Sequence, residues 1–313
     1  MILVIFVHVA NVYCSNYNGI SKLSYLGGIT FNVLSRISVP IFFMISGALL
    51  LHKPFDKKKY FSRLIKFLAI IIVWDAVYLV WEYFYLGKVR TDLTPLLVEP
   101  YRKHLWFLYT IIVIYALQPI LGKIMDILSK KQKLFCAITL FMICNICMIY
   151  PRIAPKFTLL CYIGYFIVGD YLYKISKDGQ FKQHNKLLLS TFLICIVLDI
   201  IFSYYISLKH NTFINIYFSY RESFIIIASF CFFILTMNNY KNEDNKLVKK
   251  LSEYSFGIYL IHGIFLDIVK TNISIFMVNS FIGIPVFSLI ILAMSIGGVA
   301  ILKKIPIVNK YLV

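Results

Sequence analysis

The chain has 313 residues, of which 60% are hydrophobic and only 15% are charged, whereas soluble domains are nearer half apolar and about a quarter charged. So few charges cannot cover the apolar surface of a soluble fold of this length, and we expect an all-α integral membrane protein. The excess of 32 Lys and Arg over 14 Asp and Glu is typical of loops that face an anionic cytoplasmic leaflet, so nucleic acid is not an expected partner.

Apolar runs long enough to cross a bilayer recur along the whole sequence. Because a spanning helix needs about 20 mostly apolar residues, these runs predict a bundle of about ten transmembrane helices, and the short spacer PRIAPK leaves nine as the alternative. The predicted spans cover 1–13, 30–51, 67–86, 105–121, 134–150, 157–173, 187–207, 221–237, 255–270 and 279–302. The sequence has no evident internal repeat or linker, so we expect a single domain over residues 1–313.

Basic residues alternate between successive loops, and the even-numbered loops with the C-terminal tail carry the larger share of Lys and Arg. This alternation predicts that both termini are cytoplasmic. Lys far outnumbers Arg and Ile and Asn are abundant, which is typical of an A/T-rich bacterial genome. We therefore expect a multi-pass protein of the bacterial plasma membrane.

The first span is the opening stretch MILVIFVHVANVYC, which has no basic residue before His8 and no A-x-A ending. It is therefore not a secretory signal peptide; we expect the outer part of a first helix that lacks one or two turns at its start. An ionisable group inside a span is costly and is a functional candidate by default. His8 is a candidate base or proton relay, and a hydrogen-bonded structural role is the alternative.

The second span, FNVLSRISVPIFFMISGALLL, contains Arg36 about two turns inside its outer end. An arginine does not lose its proton, and at this depth the side chain does not easily reach water. Arg36 must therefore meet a carboxylate, a phosphate or carbonyl groups. Pro40 and Gly47 predict that this helix is kinked and closely packed.

Asp75 and Glu82 lie seven residues apart in WDAVYLVWEY of the third span, so they share one helix face. Either carboxylate could pair with Arg36 or orient a histidine. The alternative is that Glu82 lies at the membrane interface, with Trp74 and Trp81 as anchors.

Two further histidines lie in or beside later spans. YRKHLWFLYTIIVIYALQPIL places His104 and Trp106 at the outer start of the fourth helix, and FGIYLIHGIF places His262 in the middle of the ninth. Trp106 as an interfacial anchor and His262 as a structural residue are the alternatives. The predicted topology brings His8, Arg36, Glu82 and His104 to the outer half of the membrane, which favours one shared site.

The seven cysteines form neither a disulfide framework nor a metal site, because most lie in apolar runs without partners at zinc spacing.

Three stretches, VIFVHVANVY, RISVPIFFMISGALLL and HLWFLYTIIVIYALQPIL, resemble in order and spacing the acyltransferase-3 family of integral membrane acyltransferases, and SFGIYLIHGIFL fits as well. The resemblance covers essentially the whole chain and is to members without a fused soluble domain. It implies transfer of an acyl group, often acetyl, from cytoplasmic acyl-CoA to a hydroxyl of a cell-envelope glycan or a lipid-linked sugar. Acyl-CoA is then a donor substrate, and no bound cofactor is expected.

The resemblance also implies roles for individual residues. The family has an essential histidine in its first helix and an arginine in the region of its second, which His8 and Arg36 match. We expect His8 to deprotonate the acceptor hydroxyl for direct attack, with an acyl-histidine intermediate less favoured, and Arg36 to stabilise the oxyanion or hold a donor phosphate. The expected substrate-binding residues are Asp75, Glu82, His104, Trp106 and His262.

The basic cluster, defined as Lys57, Lys58, Lys59 and Arg63, is expected to attract the CoA phosphates, and topology determination is its alternative role. The family pattern also has an arginine eleven positions before the histidine, which here would precede Met1. We expect either a start codon assigned too late or a truncated chain.

Two other functions use the same features. A transporter or flippase for a glycan or lipid-linked sugar would line its path with these buried charges, and a non-catalytic membrane partner of a polysaccharide-synthesis complex is the third candidate. The sequence leaves the acceptor, the acyl chain and the oligomeric state open.

Overall fold

In the computed structural model, the residues described are 1–88, 100–149, 154–214, 219–240, 245–306 and 308. Within them every regular element is a helix. The α-helices are α1 (Ile2–Ser15), α2 (Lys22–Arg36), α3 (Ser38–Leu50), α4 (Lys57–Leu86), α5 (Trp106–Ile127), α6 (Lys130–Ile149), α7 (Ala154–Lys177), α8 (Asn185–His210), α9 (Ser223–Asn239), α10 (Lys246–Asn272) and α11 (Ser280–Leu302). A short 3-10 turn, Lys103–Leu105, leads into α5.

Among the described residues the number of helical segments agrees with the predicted ten, because α2 and α3 form one segment that is interrupted at Ile37. The structure favours ten segments over nine, since α6 and α7 are separate helices that pack side by side. The rings of Phe141 in α6 and Tyr165 in α7 lie 5.0 Å apart.

Five helical segments among the described residues are long and apolar enough to cross a membrane: Lys22–Leu50, Lys57–Leu86, Lys103–Ile127, Lys182–His210 and Ser280–Leu302. The helices α1 and α9 are apolar but shorter. The protein is thus a multi-pass, all-helical membrane protein, while the cytoplasmic location of its termini remains a prediction.

The break between α2 and α3 has a local cause. Pro40 has no backbone N–H to donate to the carbonyl of Arg36, and its ring crowds that carbonyl. The segment also begins earlier than predicted, because the Ser21 hydroxyl caps α2 by accepting a hydrogen bond from the Ser24 amide at 3.1 Å. Arg36 is therefore the fifteenth of the 29 residues of Lys22–Leu50, at the middle of the segment rather than near its outer end.

Glycines allow α3 and α7 to approach closely, as the sequence predicts for Gly47. A Cβ atom at Gly47 would lie 1.7 Å from the carbonyl oxygen of Phe166, and one at Gly169 would lie 2.1 Å from that of Met44. Only a residue without a side chain fits such backbone contacts. This contact fixes α3, and with it the end of α2 that carries Arg36.

On the other side of Arg36, α1, α4, α5, α10 and α11 share an apolar core. Its buried members include Ile5, Tyr78, Leu108, Leu260 and Ile284, one from each of these helices. The Tyr13 hydroxyl of α1 donates to the carbonyl of Ile275 at 2.8 Å, before α11 begins. The first helix is thereby held between elements from the end of the chain.

Candidate active site

A cavity of about 620 Å³ lies between α1, the α2–α3 break, the C-terminal end of α4, the start of α5 and the middle of α10. The predicted site residues that line it are His8, Arg36, Glu82, His104, Trp106 and His262. Asp75 and the basic cluster are not part of its lining. A second cavity of about 490 Å³ between α6, α7 and α9 is lined almost wholly by apolar side chains, so the chemistry-bearing groups collect in the first.

Three histidines from distant parts of the sequence meet in this cavity. The ring centres of His8 and His262 are 5.1 Å apart, those of His104 and His262 are 4.9 Å apart, and those of His8 and His104 are 6.1 Å apart. His104 and His262 are buried and His8 is half-buried. Nevertheless, no group of three or more His, Cys, Asp or Glu side chains in the described part of the chain is arranged to hold a metal ion.

The hydrogen bonds of His262 fix its tautomer. Its Nδ1 lies 2.6 Å from the carbonyl oxygen of Tyr259 and 3.2 Å from that of Ile258. Because a carbonyl only accepts, Nδ1 of the neutral ring carries the proton and Nε2 is left as an acceptor. Nε2 of His262 and Nε2 of His104 are both buried without a hydrogen-bond partner among the described residues.

Asp75 organises the loop that carries His104. Its carboxylate accepts a hydrogen bond from the Tyr101 amide at 2.9 Å and another from the Tyr109 hydroxyl. The Tyr259 hydroxyl in turn donates to the backbone carbonyl of His104 at 2.7 Å. The structure therefore gives Asp75 a place behind the cavity wall, where it holds the Tyr101–His104 stretch, rather than beside Arg36.

Glu82 also has a different partner from the arginine considered for it. The guanidinium of Arg102 donates to Glu82 and, at 2.6 Å, to Oδ2 of Asp267. The indole N–H of Trp81 donates to the same Asp267 oxygen at 3.2 Å. We call Glu82, Arg102 and Asp267 the ion triad. It joins α4, the loop before α5, and α10 beside the cavity.

Arg102 was not among the residues predicted from the sequence, because basic residues are common in loops and an arginine outside a span carries no functional signal by itself. Its position two residues before His104 in YRKHLWF was the available signal. Asp267 lies five positions after His262, but nothing in the sequence indicated its partner.

Arg36 faces the cavity above an aromatic cluster. Its Nε donates to Oδ1 of Asn32 at 2.8 Å, and its guanidinium carbon lies 5.2 Å from the ring centre of Tyr220. The Tyr220 ring lies 5.7 Å from Trp106, which lies 5.0 Å from Tyr162. Trp106 is therefore part of an internal cluster, and Tyr220 is a lining residue that the sequence did not single out.

The basic cluster lies at the opposite end of α4 from Glu82. At 1.5 Å per residue, Lys59 and Glu82 are about 35 Å apart along the helix. The three lysines are exposed, and the Arg63 guanidinium lies 5.8 Å from the ring of Tyr115. Phe67 follows one turn later, with its ring 5.3 Å from Tyr115 and 6.1 Å from Phe256, which lines the cavity. An aromatic layer thus separates the basic cluster from the cavity.

Comparison with known proteins identifies relatives of the whole chain and of part of it. A family model described as an acyltransferase domain matches residues 1–303. Two curated sequences from Staphylococcus epidermidis, one of them from strain RP62A, are each named "Probable poly-beta-1,6-N-acetyl-D-glucosamine export protein". Each is 27% identical over 160 residues, a match that covers 50% of this chain and 43% of the relative. No solved structure matches this chain.

The family match extends over almost the full sequence, including all the helices that form the cavity, and it confirms the resemblance seen in the first, second and fourth predicted spans. The chain therefore belongs to the acyltransferase-3 family of membrane acyltransferases.

Proposed function

We propose that the protein transfers an acyl group, with acetyl as the first candidate, from acyl-CoA to a hydroxyl of a cell-envelope glycan or lipid-linked sugar. The observation that carries this proposal is the convergence of His8, His104, His262 and Arg36 on one cavity. Acyl transfer from a thioester to an alcohol needs a base for the hydroxyl proton and positive charge where the oxyanion develops. This cavity contains both kinds of group.

His8 acts as the base in this proposal. It takes the proton of the acceptor hydroxyl while the hydroxyl oxygen attacks the carbonyl carbon of the thioester, forming a tetrahedral intermediate. Imidazole suits the task because the unperturbed pKa of a histidine side chain lies near neutral pH. The position of His8 on the cavity wall, half-buried, supports access to a bound substrate.

Arg36 stabilises the oxyanion. The carbonyl oxygen gains a negative charge as the C–O bond forms, and a guanidinium that stays protonated offers fixed donors to it. The hydrogen bond to Asn32 and the contact with the Tyr220 ring support a pre-set orientation. When the intermediate collapses, the C–S bond breaks and the leaving thiolate takes the proton from His8, so the base is regenerated.

The donor docks at the basic cluster, where Lys57, Lys58, Lys59 and Arg63 attract the CoA phosphates from the cytoplasm. The thioester reaches the cavity past the aromatic layer formed by Phe67, Tyr115 and Phe256. The acceptor enters at the other end of the cavity, beside the ion triad, and its sugar ring contacts Trp106, Glu82 and His104. The predicted topology supports these opposite approaches.

A second candidate is export of a polysaccharide, which the name of the Staphylococcus epidermidis relatives favours. One experiment distinguishes the two functions. Purified protein in proteoliposomes is incubated with radiolabelled acetyl-CoA and an oligosaccharide acceptor, and CoA release, labelled acceptor and acceptor inside the vesicles are measured. Acyl transfer predicts CoA release and labelled product in equal amounts. Movement of unlabelled acceptor across the membrane without CoA release would instead support export.

A further inference from the structure

His262 offers the cavity a hydrogen-bond acceptor of fixed orientation. Its Nδ1–H is held by the carbonyl of Tyr259 at 2.6 Å, and its Nε2 is buried without a partner among the described residues. An unpaired buried acceptor costs stability, because it has lost its hydrogen bond to water and gained none in return. Such a group is retained most readily where a partner arrives during the reaction cycle, so the question is which donor His262 serves.

His8 lacks the orienting partner that a catalytic imidazole usually has. In hydrolase triads a second group accepts one N–H of the histidine, which fixes the tautomer and leaves the other nitrogen as the base. His8 makes no hydrogen bond to any residue that the structure describes. The neighbouring carboxylates serve other donors: Asp75 holds Tyr101 and Tyr109, and the two acids of the ion triad hold Arg102.

The spacing of the rings fits a direct hydrogen bond between the two imidazoles. An N–H···N bond of about 3 Å, with slightly more than 1 Å from each nitrogen to its ring centre, gives centres roughly 5 Å apart. The ring centres of His8 and His262 are 5.1 Å apart, whereas those of His8 and His104 are 6.1 Å apart. The direct bond requires a rotation of the His8 ring about its own side-chain bonds that directs one N–H at Nε2 of His262.

We propose that His262 is a positioning residue for His8: Nε2 of His262 accepts one N–H of the His8 imidazole and holds it in the tautomer whose other nitrogen faces the acceptor hydroxyl. This inference rests on the proposed acyl transfer for its catalytic consequence, although the contact itself does not. No proton passes to His262, which keeps its Nδ1–H on Tyr259 throughout. A neutral imidazole thereby does the work that a carboxylate does in hydrolase triads.

Two substitutions of His262 distinguish the role of its Nδ1 from that of its Nε2. In His262→Asn the amide N–H takes the place of Nδ1 and retains the hydrogen bond to Tyr259, but nothing replaces Nε2. In His262→Gln the longer side chain brings an amide oxygen to the place of Nε2, where it still accepts from His8. We expect kcat to fall about 100-fold in His262→Asn and about tenfold in His262→Gln, with the KM for acetyl-CoA within twofold of wild type in both.

A spectroscopic measurement tests the hydrogen bond between His8 and His262 without an assay of acyl transfer. The protein is labelled with 15N-histidine, placed in lipid nanodiscs, and its His8 signals are assigned by comparison with His8→Ala. A fixed tautomer gives two well-separated nitrogen signals, whereas rapid exchange between tautomers moves them together. We expect separated His8 signals in wild type and in His262→Gln, and converging signals in His262→Asn.

Converging His8 signals in wild type, or separated signals that persist in His262→Asn, would overturn the proposal. Equal loss of kcat in both variants, with lower thermal stability in both, would also contradict it, because a purely structural histidine predicts that result. If the wild type transfers no acyl group while the His8 signals still depend on His262, the proposed function fails and the contact stands.

Discussion

Arg102 joins three elements of the structure at one end of the cavity. Its side chain is 19% exposed, while those of Glu82 and Asp267 are 15% and 10% exposed, so the side chains of the ion triad are largely shielded from solvent. The triad joins α4 to α10 and anchors the loop that leads to His104. Two carboxylates share this one guanidinium, so the loss of Arg102 leaves both without their cation.

Replacing Arg102 should therefore destabilise the protein more than replacing either acid. We expect Arg102→Ala to lower the free energy of unfolding by about 3 kcal/mol, because removal of one partner strands buried charges of like sign. The measurement is thermal unfolding in detergent, with Lys103→Ala as the control, since that neighbouring lysine is exposed. The triple variant Arg102→Gln, Glu82→Gln and Asp267→Asn has a neutral triad. It should recover most of the free energy of unfolding that Arg102→Ala loses. Equal stability of Arg102→Ala and wild type would contradict a structural role for the triad.

At the scale of single residues, the cost of ionisable groups inside apolar spans was the useful signal. It selected His8, Arg36, His104 and His262, which the structure brings to one cavity. It could not assign pairs, because which side chains face each other depends on how the helices rotate about their axes. Asp75 and Glu82 share a helix face, yet one holds the Tyr101–His104 stretch and the other pairs with Arg102.

Among the helices, the contact between α3 and α7 is the tightest constraint on the position of Arg36. The backbones meet at Gly47 and Gly169 with no space for a side chain. Gly47 lies eleven residues after Arg36, beyond Val39 and Phe42, which line the cavity from α3. A shift of α3 there changes the direction in which the guanidinium points.

We expect Gly47→Ala to lower the free energy of unfolding by about 1–3 kcal/mol, since the added methyl group would lie 1.7 Å from a backbone oxygen and the helices must separate. The matched control is Gly297→Ala in α11, where a Cβ atom meets nothing within 4 Å. That change should be neutral or stabilising by up to about 1 kcal/mol, because alanine favours the helix. Thermal unfolding of both variants tests the pair, and similar losses in both would argue against close packing at Gly47.

The helices themselves were predictable because bilayer thickness sets a minimum apolar length. All ten predicted spans overlap a helix or helix pair of the structure. The ends of the helices were less predictable, because charged or polar turns can lengthen a helix without lengthening the apolar run from which the span is predicted. The helix α4 begins ten residues before its predicted span, inside the basic cluster, and α10 begins at Lys246 rather than residue 255. The break at Ile37 was foreseeable from Pro40. The position of Arg36 at the middle of the segment was not, because it depends on where α2 starts.

Across the whole molecule, the proposed donor site and the proposed reaction site are separated by most of the length of α4. The basic cluster should therefore affect donor binding without affecting the chemical step. We expect Lys57→Ala with Lys58→Ala to raise the KM for acetyl-CoA about tenfold at low salt, to weaken its salt dependence, and to leave kcat unchanged. Steady-state kinetics at several ionic strengths measure these effects.

The control for that pair is Lys182→Ala with Lys186→Ala, which removes the same charge from exposed lysines in another loop that is predicted to be cytoplasmic. It should leave the KM near wild type. An equal rise of KM in both double variants would mean that general surface charge, rather than the basic cluster, attracts the donor.

The most direct test of the account is acetyl transfer by His8→Ala. Wild type, His8→Ala and the control His184→Ala, a histidine exposed in the turn before α8, are purified, checked for equal thermal stability, and supplied with radiolabelled acetyl-CoA and an oligosaccharide acceptor. If His8 is the base, His8→Ala loses at least about 100-fold in kcat, while His184→Ala matches wild type. Transfer by His8→Ala at the wild-type rate would contradict the central claim.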